Sequence, residues 1–113
     1  MYAVVRINQD DPDRARLAHD QLREFDQTHS AQPGYRGTLT VGRADYRNLV
    51  VNLWDSEQHA TAARTTLSPI VRRLLNPVLS QPSQLLGAGP VLALELPPST
   101  RNNGRTPHRP PPR

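Results

Sequence analysis

The sequence of 113 residues contains no cysteine and no lysine. Without cysteine, disulfide bonds, thiolate nucleophiles and cysteine-ligated zinc are excluded. All 14 basic residues are arginines, which we attribute to compositional bias and not to recognition chemistry. No run approaches the roughly 20 apolar residues of a membrane-spanning helix, and no basic-then-apolar signal peptide opens the chain. These absences predict a soluble, cytoplasmic protein.

The net charge of +4 comes from the end of the chain. Residues 1–96 contain ten arginines and ten acidic residues, so their formal charge is zero, and the other four arginines follow them. A basic charge spread over the whole chain would indicate nucleic-acid binding. Because the part that can fold is neutral, nucleic acid is not expected as a partner.

Residues 97–113 hold six of the twelve prolines and no large apolar residue. Such a segment cannot bury enough surface to order itself, so we expect a disordered Pro/Arg-rich tail. Its "RPPPR" end could dock on an aromatic groove or an anionic surface. A solubilising role is the preferred interpretation.

The first half of the chain predicts a strand followed by an amphipathic helix. "MYAVVRIN" is short and β-branched, and Asp11 followed by Pro12 is typical of a helix start. From Pro12 to about His29, the apolar residues fall within one narrow arc: Ala15, Ala18, Leu22 and Phe25. His29 extends this stripe, which favours a packing role at the helix end.

"YRGTLTV" and "RNLVVNLW" alternate in polarity and are separated by a short turn, which predicts a β-hairpin. Strand side chains alternate between the two faces of a sheet. One face of the second strand therefore carries Leu49, Val51 and Leu53. The other face carries Asn48, Val50, Asn52 and Trp54. This second face is either a binding site or the solvated side of the sheet.

The second half predicts helices and a last strand. A cap at Asp55 or Ser56 starts a helix from about Glu57 to Leu67, and Ser68-Pro69 starts another that ends near Asn76. "SQPSQLLGAGP", which contains Gly87 and Gly89, is interpreted as a loop. "PVLALEL" is interpreted as the last strand.

The predicted order is therefore β-α-β-β-α-α-β, in one domain formed by residues 1–96. This order is typical of a ferredoxin-like α+β fold with a four-stranded antiparallel sheet. The helices would cover one face of the sheet. The other face still carries apolar side chains and needs a cover, which a second copy in a homodimer could provide.

Two stretches, "PGYRGTLTV" and "LVVNLWDSEQHA", resemble the antibiotic biosynthesis monooxygenase (ABM) superfamily. Its members typically have Pro-Gly-aromatic at the second strand and Trp-Glu/Asp-Ser-Glu where the third strand enters a helix. The resemblance covers about residues 2–96, including the strand order. It implies a homodimer whose sheets pack as an α+β barrel, with a small pocket between sheet and helices in each subunit.

The ABM superfamily contains proteins with different activities. Some oxidise polycyclic aromatic phenols without flavin or metal, and others degrade haem. Asn8 matches the first-strand asparagine of the haem-degrading branch, but the second tryptophan of that branch falls near Ala63 and no histidine lies between His59 and His108. The resemblance therefore favours the phenol-oxidising branch and implies no cofactor.

The resemblance and the spacing together give a set of candidate site residues. The catalytic candidates are Asn52, Trp54 and His59. The substrate-binding candidates are Asn8, Phe25, Asn48 and Arg73. The four histidines have no metal-ligand spacing, so no metal site is expected.

A structural role is the alternative for each candidate. Trp54 would then be a core aromatic, and the asparagines would face solvent or a dimer seam. His59 would lie at a helix edge, and Arg72 and Arg73 would form a solvated helix face. Two functions stay open: a cofactor-independent monooxygenase acting on an aromatic, polyketide-like phenol, and a non-catalytic dimer that binds a small ligand or serves in interaction only.

Overall fold

The computed structural model describes residues 1–43 and 45–97, which form a four-stranded antiparallel sheet with helices on one face. The strands are β1 (Tyr2–Asp10), β2 (Tyr35–Gly42), β3 (Arg47–Trp54) and β4 (Leu79–Pro90). The helices are α1 (Pro12–Leu17), α2 (His19–Ser30) and α3 (Glu57–Ile70). A π-helical segment (Val71–Leu75) and a 3₁₀ turn (Asn76–Val78) join α3 to β4. The predicted tail, apart from Pro97, lies outside the described residues.

The strand order β2-β3-β1-β4 confirms the predicted ferredoxin-like α+β fold. β1 is central and pairs antiparallel with both β3 and β4. In the β1–β3 register Tyr2 lies opposite Trp54, and Asn8 lies opposite Asn48. Because the register is regular, the even-numbered residues of these two strands share one face.

The predicted last strand is wrong, because β4 is the segment interpreted as a loop. Residues 91–97, which include most of "PVLALEL", are not in a strand. β4 is an edge strand with three register shifts against β1, and such strands tolerate Pro82 and the glycines at 87 and 89. The low strand propensity of this segment is therefore outweighed by the backbone hydrogen bonds that it forms with the free edge of β1.

The first predicted helix is two helices with a break at Ala18. Asp11 caps α1 as predicted, since its Oδ1 accepts from the backbone N–H groups of Asp13 and Arg14, both at 3.1 Å. Ala18 has φ −109° and ψ 30°, which ends α1, and α2 then begins at His19. No proline or glycine marks this break, so no local sequence pattern predicts it.

Ser56 is the N-cap of α3, which settles the predicted choice between Asp55 and Ser56. The helix continues through Pro69 without the expected restart. The backbone then widens into the π-helical segment, as the chain loses regular α-helical bonding near a proline.

The core lies between the sheet and α3. Trp54, Ala60, Ala63 and Leu67 are buried there, and Tyr2, Val4 and Tyr35 pack against them. We call this side of the sheet the covered face. The opposite, uncovered face carries half-buried apolar side chains and two exposed ones: Val5, Ile7, Leu49, Val51, Leu53, Leu39 and Val41.

Candidate functional site

Trp54 lies at the end of β3 and is only 3% exposed. Two rings meet it edge to face, that of His29 at 5.6 Å and that of Tyr35 at 5.7 Å between centroids. Phe25 stacks on His29 at 5.6 Å. These four residues form a cluster, called the aromatic cluster below, in which α2 lies against the ends of β2 and β3.

His29 is the central member of the aromatic cluster, with ring contacts to the three other residues. Burial lowers the pKa of its imidazole, so the ring is neutral at pH 7. No side chain or backbone group of the described residues gives its ring nitrogens a hydrogen bond. The sequence pattern indicated a packing role here, whereas a neutral imidazole with free nitrogens is also a base.

A chain of hydrogen bonds runs beside the aromatic cluster. The Tyr35 hydroxyl and Thr38 Oγ1 are 2.7 Å apart, and Thr38 Oγ1 donates to Asn52 Oδ1 at 2.8 Å. A register shift between Tyr35 and Gly37 places Tyr35 and Thr38 on the same face despite their odd spacing. Thr38 is exposed and Asn52 is half-buried, so this polar chain reaches solvent.

His59 is held at the start of α3 by its neighbours. Its Nδ1 is 2.8 Å from Ser56 Oγ, which also accepts from the backbone N–H of His59. The His59 ring packs directly on Gly34, where a Cβ would overlap it. Gly34 has φ +81°, a conformation that favours glycine. His59 therefore has a capping and packing role, in which one ring nitrogen is engaged.

Asn8 and Asn48 lie at the other end of the covered face. Asn48 Nδ2 donates to Asp10 Oδ2 at 3.0 Å, and Asn8 Oδ1 is buried without a donor among the described residues. Burial raises the pKa of Asp10, and the bond from Asn48 opposes that rise. Asn48 and Trp54 are six positions apart in β3, which is about 20 Å along the strand. The two asparagines are therefore not part of the Trp54 site.

Arg73 lies on the surface between the π-helical segment and α2. Its Nη2 is 3.4 Å from Glu24 Oε2, and both side chains are exposed. Arg72 donates to Ser68 Oγ at 3.1 Å. These contacts match the alternative interpretation of a solvated helix face.

The cluster itself leaves no slot for a ring-sized ligand. Ring centroids 5.3–5.7 Å apart correspond to direct aromatic contact. A ring-sized ligand therefore cannot lie between these rings. An open surface depression exists elsewhere, on the outer side of α3, lined by Glu57, Gln58, Thr61, Ala62 and Thr65.

Residues 1–43 and 45–97 contain no group of three or more His, Cys, Asp or Glu side chains placed to hold a metal ion. None of their helices is both long and apolar enough to cross a bilayer.

No family model matches the sequence, and no curated protein matches it. Solved structures do match. A "putative antibiotic biosynthesis monooxygenase" from Nitrosomonas europaea is 16% identical with a TM-score of 0.65, over 82% of this chain and 100% of that one. Rv0793 from Mycobacterium tuberculosis is 16% identical with a TM-score of 0.63, over 82% and 96%.

A mutant of SnoaB, a cofactor-independent oxygenase from Streptomyces nogalater, is 12% identical with a TM-score of 0.64, over 82% of this chain and 94% of that one. The chain therefore has the fold of the ABM superfamily, as the sequence motifs predicted. Identities this low establish the fold and leave the activity to be argued from the site.

Proposed function

We propose that this protein is a cofactor-independent monooxygenase that oxidises an electron-rich aromatic phenol with O₂. The observation that carries the proposal is the neutral His29 imidazole, free of hydrogen bonds among the described residues, beside the polar chain Tyr35–Thr38–Asn52. A base and a hydrogen-bond donor for a substrate oxygen, both next to an aromatic surface, suit a phenol as the substrate. The description of SnoaB as a cofactor-independent oxygenase supports the same chemistry on this fold.

The ligand would lie against the edge of the aromatic cluster, over β2. Thr38 Oγ1 donates to Asn52 Oδ1, so the Asn52 amide N–H groups are left to donate to a substrate oxygen. Such a donor stabilises the negative charge of a phenolate. Trp54 fixes the ring surface against which the substrate packs.

The reaction needs no electron carrier because the substrate reduces O₂ itself. His29 removes a proton from a CH₂ group activated by the phenol, and the carbanion forms a C–O bond to O₂. The peroxide takes up the proton from His29. Loss of the second carbon-bound proton then breaks the O–O bond, which gives a quinone carbonyl and one water. The carbon is oxidised by four electrons, and O₂ is reduced by four.

The second candidate function is a non-catalytic protein that binds a small apolar ligand or serves in interaction. The close packing of the aromatic cluster favours it, since Trp54 has the burial of an ordinary core residue. His59 is the alternative base in the oxygenase, although Ser56 engages its Nδ1. We keep Asn8, Asn48 and Arg73 as residues to test for substrate binding from outside the cluster.

We also propose that the protein is a homodimer through its uncovered face. Leu39 and Val41 are 59% and 46% exposed there, beside five half-buried aliphatic side chains. A continuous apolar surface of this kind is typical of an interface. A second copy, related by a twofold axis, would pack its uncovered face against that of the first, so that each copy covers the other.

Oxygen uptake with a panel of anthrone-type phenols, without added cofactor, tests the activity. The variants are Asn52→Ala, Trp54→Phe and His29→Gln, and His19→Gln is the control because His19 is exposed on the same helix. We expect about a hundredfold loss in His29→Gln and none in His19→Gln. No uptake from folded protein, together with thermal stabilisation by the same phenols, would support the binding function instead.

A further inference from the structure

The Asn52 amide is held by one hydroxyl group. In the strand registers Asn52 lies between Thr38 of β2 and Val4 of β1, and Val50 and Trp54 flank it on the same face of β3. Three of these four neighbours are hydrophobic. Thr38 Oγ1 donates to Asn52 Oδ1 at 2.8 Å, and it is the single hydrogen-bond partner of the amide among the described residues. The orientation of the amide therefore depends on Thr38.

The hydrogen bonds of the polar chain run in one direction. A threonine hydroxyl carries one proton, and that of Thr38 is donated to Asn52 Oδ1. The Tyr35 hydroxyl, 2.7 Å from Thr38 Oγ1, is therefore the donor in that contact. Hydrogen bonds aligned in this way polarise one another. The chain ends in the Asn52 Nδ2–H groups, which are not buried and have no acceptor within residues 1–43 and 45–97.

An irregularity in β2 brings the members of the polar chain together. The register against β3 shifts between Tyr35 and Gly37, and Gly37 has φ +145°, a conformation that side chains disfavour. The shift places the Tyr35 and Thr38 side chains on one face, with Thr38 directly opposite Asn52. Such bulges re-aim side chains and are frequent next to active sites. The position of the Thr38 hydroxyl is thus set by the backbone.

We propose that Thr38 is a positioning residue, which holds the Asn52 amide with its N–H groups toward the ligand. The site then selects a ring compound that has a carbonyl or phenolate oxygen at this place. The inference rests on the proposed function, because it concerns the same ligand. Without the Thr38 hydroxyl, the amide can turn about its last side-chain bond. It would then present its Oδ1, which repels a second oxygen acceptor, as readily as its N–H groups.

This orientation stabilises the transition state more than the bound substrate. Removal of a proton from the ring CH₂ group transfers negative charge to the conjugated carbonyl oxygen, which becomes a phenolate. An N–H group of Asn52 that donates to this oxygen binds it more strongly as the charge develops. An amide that is oriented beforehand needs no rearrangement during the reaction. Thr38 therefore affects the reaction through Asn52.

Binding of two probes to the full chain tests the positioning role. Anthrone and 9,10-dihydroanthracene differ in one carbonyl group, which is a CH₂ group in the second compound. The fluorescence of Trp54, the sole tryptophan, reports binding, and O₂ is excluded so that no reaction occurs. We expect wild type to bind anthrone about tenfold more tightly, because one hydrogen bond is added. Thr38→Val should remove most of this preference and leave the affinity for 9,10-dihydroanthracene unchanged.

Two variants and one rate measurement separate positioning from a structural role. Thr38→Ser keeps the hydroxyl and should restore the preference for anthrone. Thr40→Val is the control, because Thr40 is exposed on the same face of β2 and its side chain has no hydrogen bond among the described residues. In oxygen uptake with anthrone, Thr38→Val should lower kcat about tenfold, by more than it raises KM.

The outcomes distinguish this inference from the proposed function. A preference for anthrone that depends on Thr38, without oxygen uptake in wild type, would contradict the oxygenase and support the positioning role. Three results would overturn the positioning role: no binding or no preference in wild type, an equal loss of affinity for both probes in Thr38→Val, or a Thr38→Ser variant that behaves like Thr38→Val.

Discussion

The two faces of the sheet are built from the same strands and differ in almost everything else. The covered face holds Trp54, the aromatic cluster and the polar chain. Packing and hydrogen bonds hold these side chains in place. The uncovered face holds aliphatic side chains such as Leu39 and Val41 that no helix covers within residues 1–43 and 45–97. We propose that the chemistry takes place on the covered face and that assembly takes place through the uncovered face.

The difference extends to charge. The pKa of Arg6 is lowered, that of Asp10 is raised and that of His29 is lowered, and burial is the largest cause for each. All three residues belong to the covered side. Helices that exclude water from the sheet therefore also shift the pKa values of the groups beneath them. Substitutions confined to one face test whether the properties of the two faces are independent of each other.

The largest expected effect is that of Trp54→Ala on the covered face. Removing this buried indole leaves a cavity against the rings of His29 and Tyr35 and should lower the free energy of unfolding by about 3–5 kcal/mol. Urea unfolding measures it. Leu17→Ala is the control, because Leu17 is 82% exposed and should change stability by about 0.5 kcal/mol or less. Equal losses in both variants would contradict the assigned core.

Gly34→Ala should lower the free energy of unfolding by about 3 kcal/mol, because φ is +81° and the new Cβ would overlap the His59 ring. Gly87→Ala is the matched control, since a Cβ there meets open space. Urea unfolding of both variants checks the difference. If His59→Ala rescued Gly34→Ala only partly, backbone strain would account for the remainder.

Leu39→Asp should weaken self-association roughly a hundredfold, about 2.7 kcal/mol, by placing an unpaired carboxylate in the proposed interface. Sedimentation over a concentration series measures it. Thr40→Asp is the control, because Thr40 is the next residue of β2 and is exposed on the other face. A monomeric wild-type protein, or equal effects in both variants, would remove the uncovered face as the interface.

The smallest expected effect is the pH dependence that His29 gives to stability. Its folded-state pKa is below the ordinary value of about 6.5, so the unfolded chain takes up a proton that the folded chain does not. Stability from this source is fully present above pH 6.5 and falls as the pH drops through that value. His29→Gln should flatten the fall, measured as the difference from wild type in urea unfolding at several pH values. His19→Gln should leave it unchanged.

The sequence predicted those features that depend on neighbours along the chain. Alternation in "RNLVVNLW" correctly divided Trp54 and Asn52 from Leu49, Val51 and Leu53. The fold also followed from the order of elements. Which of the site residues bind a substrate stays a prediction.

Features that depend on distant pairing were missed. β4 has a composition of low strand propensity, and it forms because it pairs with the free edge of β1. Tyr35 and Thr38 share a face only because of a register shift, which strict alternation cannot predict.

The central position of β1 has a consequence for how the chain folds. β1 is the first of the four strands to be synthesised, whereas its partners β3 and β4 begin only at residues 47 and 79. Pairing between strands that are far apart in sequence slows folding, because chain entropy is lost in bringing them together before any hydrogen bond forms. On the ribosome, one edge of β1 stays unpaired until β3 has emerged, and the other edge stays unpaired until β4 has emerged. We therefore expect the sheet to be completed late, when β4 arrives.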